Sequence, residues 1–334
     1  MRRLRNPVLC LIVLAVLAAM NLPARAQQQL KIGMGFGLAF LPLYICEDLK
    51  LVEKYGRLAH VDVRASFQRF DVAAKLQGAV ASGSIDLGPF GVAPLLSAFE
   101  KAGDTPSQIL AVSGLTSLPL ALLSTDAAAR SIADIKPADR IAVPTLSSPQ
   151  AYLLELQSEK VFGQYDRLRK QMVVLSHGDA MTGLARGDGP VTSYFSSPPF
   201  TQMALRSGTV HRILDSSEVV GGKASFLILG GSRGFIEAQP EMPAIVEKAI
   251  DEAARIIRSD PRRAAQIYLS HEPSMTFNAA TIEAVLREER DEFGSPVHAV
   301  QAIADFMGRH GELKNPPQSW KDIAAPALTG SPSS

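Results

Sequence analysis

From residue 28 to residue 116, short runs of aliphatic and β-branched residues alternate with stretches whose apolar positions recur every three or four residues. Residues 30–34, 61–65, 85–87 and 109–113 read as strands, and 43–49, 72–81 and 93–101 read as the helices between them. Asp71 is placed to cap the second of these helices and Gly83 to end it. Strands separated by helices imply βαβ units and a mainly parallel sheet. The pattern then starts again. Residues 120–123, 141–143, 172–175, 191–195 and 210–214 are candidate strands, with helices beginning near Pro149, Asp179 and Pro198. After Gly221-Gly222, an apolar run at 226–229 and Gly230-Gly231, the chain turns helical. Met242, Ile245, Val246, Ala249, Ile250, Ala253, Ile256 and Ile257 form one apolar stripe at helical spacing. Asp260-Pro261 ends that helix and starts the next, because proline loses no needed N–H at a first helical turn.

The ends change the picture. Arg2, Arg3 and Arg5 precede an apolar segment at 8–20, and Ala24-Arg25-Ala26 supplies the small-x-small pattern of a cleavage site, so residues 1–26 read as a signal peptide. The apolar segment is shorter than the roughly 20 residues of a membrane-spanning helix. Removing residues 1–26 takes away four arginines, so 34 basic groups fall to 30 against 33 acids. That balance points away from nucleic acid as a partner. Of two cysteines only Cys46 remains, which rules out an intrachain disulfide and leaves stability to the core. The Ser-, Pro- and Gly-rich tail after Leu328 reads as disordered.

Little in the chain looks catalytic. Gly33-x-Gly35-x-Gly37 lacks the third glycine of a dinucleotide fingerprint, and no acid ends the second strand to hold a ribose. His177, Asp179, Ser196 and Ser197 have the residue types of a triad but no nucleophile elbow, so Asp179 is expected to cap a helix with His177 in the loop before it. His271-Glu272 has no second histidine four residues on, and the histidines show no metal-ligand spacing. No cofactor is expected.

Several segments in order carry a family resemblance. They are Lys31-Ile32-Gly33, Phe40-Leu41-Pro42-Leu43-Tyr44-Ile45, Leu51-Val52-Glu53-Lys54-Tyr55-Gly56 and Ala81-Ser82-Gly83-Ser84-Ile85-Asp86-Leu87-Gly88. Ser131-Ile132-Ala133-Asp134-Ile135-Lys136 before Arg140-Ile141-Ala142-Val143-Pro144 continues the series, and residues 240–268 complete it. With them the chain resembles the periplasmic substrate-binding proteins of the nitrate, sulfonate, taurine and pyrimidine-precursor type. The resemblance implies an α/β, two-lobed periplasmic binding protein fold (type II), with two three-layer lobes joined by a two-segment hinge. Lobe one would be 27–118 plus 226–334 and lobe two 119–225, with crossovers near 117–120 and 221–226. It also implies a small-molecule ligand, ABC permease and ATPase partners and a periplasmic location; with no catalytic set in the chain, no enzymatic activity is expected. A monomer is expected.

Open α/β sheets bind ligands at the carboxyl ends of their strands. In lobe one those loops hold Phe36, Gly37, Phe40, Arg69, Phe90, Gly91 and Ser117; in lobe two they hold Ser147, Ser148, Gln150, Tyr194, Ser196 and Ser197. Serines before prolines at 147–149 and 196–199 suggest helix N-termini, whose N–H groups and dipole favour an anion. The expected ligand is a small organic anion, sulfonate- or carboxylate-like, its charge at the lobe-two termini and its apolar body between Phe36, Phe40, Phe90 and Tyr194. Two other readings stay open: an exported enzyme using His177 or Asp179 as base, and a sensory ligand-binding protein.

Overall fold

Two five-stranded sheets organise the chain. The computed structural model describes residues 27–186, 191–273 and 277–328; the expected signal peptide and the tail beyond Leu328 lie outside the described residues. The chain opens with β1 (Gln28–Met34), α1 (Leu41–Asp48), α2 (Leu51–Leu58), β2 (Val63–Arg69) and α3 (Ala73–Ala81), then β3 (Leu87–Phe90), α4 (Val92–Ala102) and β4 (Ile109–Thr116). It crosses to β5 (Ala121–Ser124), β6 (Arg140–Val143), α5 (Pro149–Phe162), β7 (Met172–Val174) and α6 (His177–Arg186). There follow β8 (Val191–Ser196), α7 (Phe200–Arg206), β9 (His211–Asp215) and α8 (Ser216–Val220). The return passes through β10 (Leu227–Ser232) to α9 (Arg233–Ala238), α10 (Met242–Ser259), α11 (Pro261–His271), α12 (Ala279–Glu288) and α13 (Val300–Arg309).

The strand orders are β2-β1-β3-β10-β4 and β7-β6-β8-β5-β9. Each sheet is parallel except for one strand: β10 runs antiparallel to β3 and β4, and β5 antiparallel to β8 and β9. That strand is in each case the first one after a crossing. The sheets are thus mainly parallel, as expected, each with one reversed strand that the apolar patterning did not single out.

Helices cover both faces of each sheet. On one face of the first, α1, α2, α10, α11 and α12 bury Leu30, Ile32, Tyr44, Ile250 and Leu286 together. The stripe on α10 is buried as its spacing implies, each of its Met, Ile and Val side chains contributing about 1.5–3 kcal/mol. On the other face, α3, α4 and α13 share one continuous apolar cluster with α5 and the second sheet, including Leu96, Phe306, Leu154 and Phe195. The remaining face of the second sheet packs on α6 and α7. Lobe-to-lobe polar contacts lie beside the shared cluster: Glu159 on α5 meets Arg309 at 2.7 Å and His310 at 2.8 Å, and the Tyr152 hydroxyl donates to Glu312 at 2.6 Å. Edge strand β4 is covered by residues 293–296, where a Cβ on Gly114 would stand 2.3 Å from the Pro296 carbonyl oxygen.

The crossings are fastened to each other. At the lobe-one end Phe226 N–H donates to Thr116 O at 2.8 Å; at the lobe-two end the first crossing is held by Ser216, the first residue of α8, whose N–H donates to Leu120 O at 2.8 Å. Local details differ from expectation in three places. Helix α3 is entered from Val72, without a side-chain cap, so Asp71 does not cap it. Helix α6 begins at His177, and the Ser176 hydroxyl accepts Asp179 N–H at 3.1 Å, so serine rather than Asp179 is the cap. Helix α7 starts at Phe200 with Pro199 as its N-cap and no side-chain cap, so Ser196 and Ser197 stand before the helix as expected but neither caps it.

Candidate functional site

Loops at the carboxyl ends of β1 and β2 build the lobe-one rim. Gly37 adopts φ +113°, which only glycine takes without strain. Its N–H donates to Glu272 at the end of α11, and the same carboxylate oxygen meets the Tyr44 hydroxyl. The second Glu272 oxygen accepts from the Tyr268 hydroxyl at 3.2 Å. Burial and the neighbouring carboxylate push the Tyr44 phenol up from its usual range, so it stays neutral. Phe40 is half-buried with its ring over Gly35, and Phe36 is 50% exposed. Arg69, at the end of β2, lies with its guanidinium carbon 4.9 Å from the Tyr44 ring centroid and 5.7 Å from that of Phe36. It donates to the His271 carbonyl at 2.8 Å and to His271 Nδ1.

Facing this rim, the lobe-two loops are less available than expected. Ser147 is exposed, but Ser148 is the N-cap of α5: its hydroxyl accepts from Ala151 N–H at 3.3 Å and donates to Thr145 O at 2.7 Å. Gln150 is buried in the first turn of the same helix. Ser196 is fully buried, its hydroxyl engaged with Ala121 O at 2.9 Å and Thr201 Oγ1 at 2.8 Å. The Tyr194 ring lies in the lobe-two core. Phe90 is likewise core, because β3 sits inside its sheet with helices over both faces. Phe90, Tyr194, Gln150 and Ser196 are therefore all buried in this structure. Ser117 is half-buried within a crossing, its N–H bonded to Glu292 O at 2.7 Å. Gly91 marks where the lobes touch: a Cβ there would stand 2.9 Å from Pro149 Cγ.

Ser197, His177 and Tyr194 do come together. The Ser197 hydroxyl is 3.3 Å from His177 Nε2, and His177 Nδ1 meets the Tyr194 hydroxyl. The order matches nucleophile, base and orienting group, but the orienting group is a phenol that burial keeps neutral, not a carboxylate. Burial also pushes the His177 pKa down to about 4, which makes it a weak proton acceptor. His177 stacks on Phe200 at 5.0 Å, and Phe200 meets Phe277 edge-on at 5.3 Å, across the two lobes. Behind the Gly91–Pro149 contact, Leu118, Leu120 and Phe226 of the crossings line an apolar cavity of about 30 Å³, room for roughly two waters. Its lining also takes in Val92, Ala93 and Pro149, at the helix starts that follow β3 and β6, so it reaches from the crossings to the strand-end loops. Among the described residues no cluster of His, Cys, Asp and Glu could hold a metal, and no helix is long and apolar enough to cross a membrane.

No protein-family model and no curated protein sequence matches the chain. Solved structures do. The alkanesulfonate-binding protein SsuA from Xanthomonas axonopodis pv. citri, bound to MOPS, is similar with a TM-score of 0.68 at 21% identity, over 90% of this chain and 98% of that one. This is the two-lobed periplasmic binding protein fold. A ligand-binding component of an ABC-type import system from Staphylococcus aureus shares it with a TM-score of 0.64 at 17% identity, covering 91% and 98%. The fold also carries an enzyme, DszB, solved with biphenyl-2-sulfinic acid, at a TM-score of 0.58 and 12% identity over 91% and 98%. Periplasmic binding protein folds thus serve both capture and chemistry, and the side chains must decide between them.

Sequence reasoning placed Arg69, Phe36, Gly37 and Phe40 in one neighbourhood, and the structure brings them together. It missed Glu272, His271 and Asp48, which hold that neighbourhood from elements more than 200 residues away in the chain from the loops or side chains they contact. The only signal was the His271-Glu272 pair, tested for a metal motif alone.

Proposed function

We propose that this chain is an exported solute-binding protein, directed to the periplasm by residues 1–26, that captures a small organic anion and delivers it to an ABC permease and ATPase. Lobe one would be 27–118 plus 226–334, lobe two 119–225, and the segments 117–120 and 221–226 the hinge. The observation that carries the reading is Arg69, a guanidinium seated on the Tyr44 and Phe36 rings at a strand end of a binding-protein fold. Such a seat offers a charge and an apolar surface to one ligand. Phe36, Gly37, Phe40, Gly91, Ser147 and Ser197 are the loop residues proposed to surround it.

Calorimetric titration with matched pairs, a sulfonate or carboxylate and its neutral amide, tests this. The acid is expected to bind at least tenfold more tightly and to be recovered unchanged; equal affinity for the amide overturns the anion. The Ser197–His177–Tyr194 contact favours a second reading, an exported enzyme. Turnover abolished by His177→Ala would establish that one instead.

A further inference from the structure

His271 meets a carboxylate on one side and a guanidinium on the other. Its Nε2 lies 2.7 Å from Asp48 Oδ1 on α1, and an ionised carboxylate can only accept, so Nε2 carries the hydrogen. In the neutral ring Nδ1 is then a lone pair, and it faces Arg69, which can only donate. The tautomer is fixed by chemistry at both ends. Stacking on Tyr44 at 4.7 Å and 2° holds the imidazole plane, and the same tyrosine lies under the guanidinium. With a second tether to the His271 carbonyl, two of the five Arg69 N–H donors are committed and three are left to meet a ligand.

We propose that His271 is the positioning residue for Arg69, and that protonation of His271 unseats the guanidinium from the lobe-one rim. The proposal rests on the anion-capture reading for its functional meaning, though not for its geometry. A proton on Nδ1 replaces the acceptor with a donor and sets two cations in contact. Charged groups face the ring from each element packed on it. From α1, Asp48 already accepts from Nε2, and the Glu47 carboxylate stands nearby, its Oε2 3.8 Å from Nδ1. Arg69 approaches from β2. Glu272, next along α11, is turned to Gly37, Tyr44 and Tyr268. Arg69 would then keep only its bond to the carbonyl.

The test begins without ligand. In the mature protein, histidine-ring nitrogen correlations and the Arg69 side-chain N–H signals are followed by NMR from pH 8 to pH 5, with His271→Gln for assignment. The expected result is an Nε2–H tautomer at high pH, and Arg69 signals that broaden with the His271 titration. Glutamine presents an amide oxygen and an N–H in place of the two ring nitrogens, so in that variant the Arg69 signals should persist throughout. Hexanesulfonate titrations follow: wild-type affinity should fall at least threefold on acidification and that of His271→Gln stay flat. An Nδ1–H tautomer, Arg69 signals indifferent to His271, or sulfonate binding that tightens with acid overturns the proposal. Failure of hexanesulfonate to bind at any pH counts against the anion reading alone, since the ligand-free coupling decides the role of His271.

Discussion

His177 and Cys46 show how far burial changes what a side chain does. Cys46 is 1% exposed and its thiol is pushed up by burial among apolar residues, so it packs as a small hydrophobe. His177 is held neutral, its pKa lowered to about 4 by burial alone. A lowered histidine pKa means the unfolded chain binds more protons in that window. Stability from this group is present at neutral pH and is lost as pH falls from about 6.5 toward 4. Glu155 and Glu289 are raised to about 7 by burial, and their contribution runs the other way, present in acid and lost as pH rises toward 7. The wild-type profile mixes the two, so a difference is needed. The stability gap between His177→Gln and wild type, from urea unfolding, should shrink by roughly 1–2 kcal/mol between pH 7 and pH 5. At this scale the sequence was least legible. Phe90 and Tyr194 look like pocket rings in a list of loops, and only their sheet positions make them core. Glu272 and His271 have no local signature, because their partners are set by tertiary contacts.

Elements were more readable, and for a physical reason. Periodicity placed α10 and α11 because a buried stripe and an Asp-Pro start are local features, and Asp260 does cap α11 through Arg263 N–H at 3.0 Å. Strand direction and exact caps were not local, hence the antiparallel β5 and β10 and the cap on α3. The start of α5 separates two roles for one serine. With its hydroxyl committed to Ala151 and Thr145, Ser148 is a structural cap. Ser148→Ala should therefore cost about 1 kcal/mol in thermal or chemical unfolding. Affinity for an anion should change less than twofold; a larger loss would return this terminus to the ligand site.

For the molecule as a whole, the alternation of strands and helices was enough to imply α/β layers, and the resemblance supplied the second lobe. The shared cluster was not foreseeable, since it joins residues such as Leu96 and Phe195 from different sheets. Two glycines now distinguish motion between lobes from strain within one. A methyl at Gly91 meets Pro149 of the other lobe at 2.9 Å, a clash that a small separation of the lobes relieves. Gly91→Ala should keep the wild-type melting temperature within a few degrees, weaken ligand binding about five- to tenfold, and reduce the ligand-induced fall in radius of gyration seen by small-angle scattering. A methyl at Gly114 meets the Pro296 carbonyl inside lobe one, where nothing can swing away. Gly114→Ala should cost about 3 kcal/mol or more.

The two crossings are tied to each other at Thr116–Phe226, and at the far end Leu120 is tied to Ser216, on the helix from which the second crossing leaves. Two straps held at both ends behave as a leaf spring: they bend about the line that runs through both, but resist sliding and twisting. The lobes would then have a single degree of freedom, and every closure would follow the same arc. Whatever fills the cleft, the face offered to a membrane partner would be the same one each time, so that partner need recognise only a posture and not the cargo.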